Sequence, residues 1–284
     1  MLYILSEAVN LARTGHIYLT SRNRKALCDV PPKLYDHWAQ TAHHEFPGIP
    51  QDAFFYLRAT DALLTFFECV RRSNRPCALP SKAADSVWHA WLSWSSESLD
   101  AFCERHYGQR IPHVEANAMA GGMELPMAMC LVTARTMDKL DLAGPKVPRL
   151  FATDRKLRMP GGYHYYVHKH RMVYALVNKY RRAGAATWVS PGTDPDFLLA
   201  AGLIAQDDYD RWLARCMASA GSNAAASRSH GDGGSCGGTA GLVGGDAGSD
   251  GGCGDSGGDS GCGDSGGGCG SSCGGGCGGG GGGD

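Results

Sequence analysis

Residues 231–284 contain no lysine, arginine, glutamate or aromatic side chain, and glycine fills 29 of those 54 positions. A stretch so poor in apolar surface cannot offset the entropy of ordering its chain, so a folded tail domain is excluded and a flexible coil is expected. Also missing is any uninterrupted apolar run of the ~18–20 residues that a membrane span needs. The opening residues carry Glu7 and Arg13 and no basic leader, which argues against a secretory signal and for a cytoplasmic protein. No GxSxG, P-loop or HExxH is present, nor a G-x-G-x-x-G framed by strand and helix. These absences favour a non-enzymatic binding protein over an enzyme.

What is present divides the chain in two. The other 12 of 41 glycines are spread over residues 1–230, where all 27 basic residues lie with 21 acidic ones. The body is therefore formally +6 and the tail −7, a contrast hidden in the total of −1. An acidic tail of this kind can associate loosely with a basic body, in a manner that salt screens. A charge of +6 over the body is too mild to argue for nucleic acid. The six body cysteines (Cys28, Cys69, Cys77, Cys103, Cys130 and Cys216) form no paired framework, in keeping with a reducing compartment. The expected organisation is a helical globular domain over 1–220 and a low-complexity, disordered tail over 221–284.

Helical spacing dominates the body. Leu2, Leu5, Val9 and Ala12 share one face, and Leu34, Trp38 and Ala42 share another after Pro31-Pro32. A stronger segment follows Pro50, with Phe54, Leu57, Leu64, Phe67 and Val70, and with Arg71 and Arg72 suited to a helix C-terminus. Two short helices are expected over Lys82–Trp94 and Ser96–Tyr107, the second stopped by Gly108. Glu115–Met137 reads as a helix weakened at Gly121-Gly122 and Pro126. His164–Arg182 reads as a helix too, although its aromatic and β-branched content also suits a strand. Asp194 caps PDFLLAAGLI, and Asp207-Asp208 open a last helix. The fold class expected is all-α.

Chemistry concentrates in ADSVWHAWLSWSSESLDAFCERHYGQRIPH. Asp85 and His89 lie four apart on one helical face. If the two short helices form a hairpin, Cys103 and His113 approach them, and two imidazoles, a thiolate and a carboxylate would suit zinc or another transition metal. The alternative is structural: His89 bonded to Asp85, and Cys103 an ordinary core residue. The spacings match no compact zinc module. A second group, His164, His168 and His170 among tyrosines and basic residues, could ligate a metal or stack bases, or could be a plain amphipathic helix. In the tail, Cys269, Cys273 and Cys277 stand at four-residue steps. They read as part of a solubilising or anchoring low-complexity tail, as soft-metal ligands, or as sites of Gly/Cys/Ser modification.

Asp85-Ser86-Val87-Trp88-His89, Phe102-Cys103, Tyr107-Gly108 and Ile111-Pro112-His113 resemble the glycine-rich domain-containing protein-like family. Pro148-Arg149-Leu150-Phe151, Asp154, Pro160-Gly161-Gly162-Tyr163 and the CGGG-rich tail are similar to its bacterial members. The resemblance spans roughly residues 55–170 plus the tail and implies no settled activity. It implies Asp85, His89, Cys103 and His113 as the matching site positions. Where many relatives carry a second histidine two residues after the first, this chain has Trp91. Three readings stay open: a helical body that binds an unidentified protein partner, a metal-binding protein, and a precursor or carrier with a modified tail.

Overall fold

The computed structural model describes residues 14–114, 122–178, 180 and 182–228. The expected helix over Leu2–Ala12, the tail and its cysteines lie outside them. Residues 14–20 are helical (α1), followed by α2 (Arg24–Cys28) and α3 (Lys33–Glu45). The helix α4 (Ala53–Ser73) starts where the Asp52 carboxylate accepts from the Phe55 amide and stops at Asn74, which is left-handed at φ 48°. It is apolar around most of its circumference, burying Phe55, Leu63, Leu64, Phe66 and Phe67, so it forms the centre of the body. Helices α3 and α6 (Glu124–Met137) flank the pair formed by α4 and α5 (Lys82–Tyr107). Trp38 of α3 is fully buried and donates its Nε1–H to Ser86 Oγ of α5 at 3.1 Å.

The two short helices expected between residues 82 and 107 occur as one element broken at Ser95, whose extended backbone (φ −168°, ψ 102°) lies between helical turns. Ser95 Oγ accepts from the Ser98 amide and so caps the second half. Trp91 and Phe102 pack with ring centroids 4.7 Å apart. Eleven residues of straight helix would separate them by ~16 Å, so the second half folds back on the first. Gly108, at φ 74°, ends it.

The all-α expectation needs correction: the body is mainly helical but also carries a three-stranded antiparallel sheet. After the short α7 (Thr153–Leu157) come β1 (Tyr163–His168), β2 (Arg171–Leu176) and β3 (Trp188–Val189), in the order β1-β2-β3. The segment taken as a helix is thus mostly a hairpin. Its two-residue turn, Lys169-His170, has φ 47° and 63°, the geometry that matches the twist of paired strands. Tyr165 pairs with Tyr174, and Tyr163 packs against both rings. His164 and His168 are therefore roughly 13 Å apart along a strand rather than one helical turn apart, which dissolves that candidate metal pair. The chain ends its described part with α8 (Pro195–Ala200), capped by Asp194 as expected, and α9 (Gln206–Arg228). No helix among the described residues is long and apolar enough to cross a membrane.

Helix α5 and strand β1 are joined by one buried carboxylate. Asp154 is fully buried and accepts from Ser81 Oγ at 2.6 Å, from the Lys82 and Ala83 amides at 3.0 Å each, and from the Tyr163 amide at 2.9 Å. Burial pushes its pKa above the usual carboxylate range, and the four donors pull it back. Gly162 is required here by space: a Cβ would sit 2.7 Å from Asp154 Oδ2. Replacing the carboxylate leaves several buried donors unpaired, so Asp154→Ala is expected to cost about 3 kcal/mol or more in urea unfolding. Gly162→Ala is expected to destabilise the same junction. A loss below about 1 kcal/mol for Asp154→Ala would contradict this role.

Candidate metal centre

The N-terminal half of α5 carries Asp85 and His89 one turn apart on the same face. Because α5 folds back at Ser95, the irregular segment after Gly108 returns toward that face. Ile111, buried in the core, anchors it, and His113 follows two residues later. The His113 ring meets the edge of Trp88 at 4.6 Å, which fixes the imidazole against the wall of the helix.

Three atoms converge. His89 Nε2 lies 3.2 Å from His113 Nε2, His113 Nε2 lies 3.3 Å from Asp85 Oδ1, and His89 Nε2 lies 3.6 Å from the same oxygen. All three side chains are partly buried. A fourth residue acts from behind: the Glu45 carboxylate, on the last residue of α3, lies 2.6 Å from His89 Nδ1. A carboxylate only accepts, so the Nδ1–H of His89 donates to Glu45, and in the neutral ring Nε2 presents its lone pair to the other two groups.

Metal–ligand bonds of ~2.0–2.1 Å in a tetrahedron place neighbouring ligand atoms about 3.3 Å apart. The three observed separations bracket that edge. The set is two imidazoles and one carboxylate, with a carboxylate behind one imidazole, an arrangement that orients metal-bound histidines. Among the described residues, Asp85, His89 and His113 are the group of metal-binding type whose ligand atoms all fall within 4.8 Å.

Of the residues singled out in the sequence, the structure brings together Asp85, His89 and His113 and leaves Cys103 aside. Cys103 is buried in the core against the Ile111 backbone, and burial pushes its thiol up to about 12. A thiol held that high stays protonated at neutral pH and makes a poor ligand or nucleophile. His106, its neighbour in sequence, pairs instead with Asp29 at 3.0 Å. Cys269, Cys273 and Cys277 lie outside the described residues. Glu45 is the participant that sequence reading missed. It precedes His89 by 44 residues on another helix, and no local spacing links the two.

Residues 54–183 match the model of a family described as UCP032817-like. The matched stretch contains Asp85, His89, Cys103, His113 and Asp154, and Glu45 precedes it. No curated protein matches the chain, and neither does a solved structure.

The raised thiol yields a direct check. At pH 8 a disulfide reagent should label the exposed Cys28 at once and Cys103 only on unfolding. Since the folded pKa of Cys103 lies above that of a free thiol, its contribution to stability is complete below pH ~8.5 and declines as pH rises toward 12. Native labelling of Cys103 at the rate of Cys28 would contradict its placement.

Proposed function

We propose that the protein binds one divalent transition metal, with zinc the best fit, through His89 Nε2, His113 Nε2 and Asp85 Oδ1. The observation that supports this reading is the near-equilateral triangle of 3.2, 3.3 and 3.6 Å between those atoms. Glu45 holds His89 in the required tautomer. Three protein ligands leave a tetrahedral ion one position for water or an incoming ligand, the pattern of a site that exchanges its fourth partner rather than one closed for structure alone. The same donor set also suits non-haem iron, so metal identity is part of the test. Of the three readings left open by the sequence, metal binding has a geometry behind it.

The test is metal analysis and zinc titration of the full chain with its tail cysteines changed to serine, so that tail thiols cannot compete. One equivalent of metal is expected, lost in His89→Ala and in His113→Ala. Cys103→Ser should leave binding unchanged. Glu45→Gln should weaken it roughly 10–100-fold, the usual effect of removing a carboxylate behind a ligating histidine. Stoichiometric metal retained in both histidine variants would refute the site.

A further inference from the structure

Away from the metal centre lies an open cleft of about 620 Å³. Arg22, Lys146, Arg149 and Arg155 line it, with Asp138 as its one acidic residue. Asp138 is already engaged: it receives Arg22 at 3.1 Å and Arg149 Nε at 2.9 Å, and it accepts from the Arg149 amide at 2.7 Å. These bonds hold two guanidiniums in place at the rim. Among the described residues no carboxylate pairs with Lys146 or Arg155, so the cleft keeps an excess of positive charge. The pKa of Lys156 is lowered by burial and by the guanidiniums of Arg58, Arg155 and Arg149.

The walls are built rather than incidental. The segment carrying Lys146 is pinned by the buried Arg135, whose guanidinium donates to the Leu142 and Gly144 carbonyls. Arg155 sits on α7 beside the buried Asp154, and the facing wall is Tyr166 and Val167 of β1. The Tyr166 hydroxyl is bonded to Thr187 Oγ1 at 2.8 Å. A fixed ring and aliphatic side chains thus adjoin the cations.

We infer that this cleft binds a phosphorylated small molecule, with the phosphates among Lys146, Arg149 and Arg155 and an organic portion against Tyr166 and Val167. Guanidiniums match phosphate oxygens in pairs, and a cleft lined by one sign of charge concentrates anions. The volume falls within the range of small-molecule sites. The inference does not depend on the metal reading.

The test is calorimetric titration of the full chain with inorganic pyrophosphate and with ATP, at about 50 mM and 200 mM salt. Saturable 1:1 binding of both is expected, tighter for ATP and weaker at the higher salt. Lys146→Glu/Arg155→Glu should lose at least tenfold in affinity. The exposed Arg75→Glu, outside the cleft, should change nothing. If the double reversal does not fold, Lys146→Gln/Arg155→Gln replaces it, with a loss of at least fivefold expected. No binding at millimolar ligand, an equal loss in Arg75→Glu, or an unchanged double variant would overturn the inference. So would binding of an oligonucleotide in the absence of binding by either small phosphate.

Discussion

A single carboxylate with four donors governs where the pieces of this protein meet. Asp154 receives the side chain of Ser81 and the first amides of α5 from one side and the first amide of β1 from the other. The first amides of a helix have no partner within the helix, and a carboxylate placed there answers both that need and the helix dipole. Because Ser81 also caps Ala84, the start of α5 is fixed to the residue. Asp85 follows within the first turn and His89 one turn on. The carboxylate therefore sets the register of the face on which two residues of the His/Asp cluster sit.

The same residue organises the other side of the junction. Asp154 points inward from α7, and the next residue, Arg155, lines the basic cleft. Tyr163, whose amide Asp154 accepts, begins the strand that carries Tyr166 and Val167 three and four residues later. Gly162 allows the backbone this close, since any side chain would collide with the carboxylate. One buried acid thus anchors the supports of two sites of opposite character, an imidazole–carboxylate cluster and a cationic cleft. Each is set on elements whose positions are determined by buried contacts, the condition under which site geometry survives thermal motion.

Parts of this were legible in the sequence because they are local. The i,i+4 spacing of Asp85 and His89, the caps at Asp194 and Gly108, and the apolar girth of α4 all follow from helical periodicity. The return of His113 was readable only as a condition on the two short helices folding back, and the contact of Trp91 with Phe102 meets it. Glu45 was not legible, since tertiary packing alone places the end of α3 behind His89. Cys103 had the right chemistry for a ligand, but its orientation toward the core rather than the site is a matter of side-chain direction that spacing does not encode. The β-hairpin was obscured for another reason. Its turn is Lys-His instead of the Asn-Gly or Asp-Gly pair that signals such a reversal, and its strands place tyrosines and histidines at intervals that also suit a helix. Asp154 showed in the sequence as a motif without a visible purpose, because its partners are backbone groups.

We propose that imidazole nitrogen and carboxylate oxygen, not sulfur, hold a metal in this protein. X-ray absorption at the zinc edge of the metal-loaded full chain tests it most directly. A shell of nitrogen and oxygen at about 2.0–2.1 Å with the outer-ring scattering of two imidazoles is expected. A first shell dominated by sulfur at about 2.3 Å would contradict it and move the metal to the cysteines.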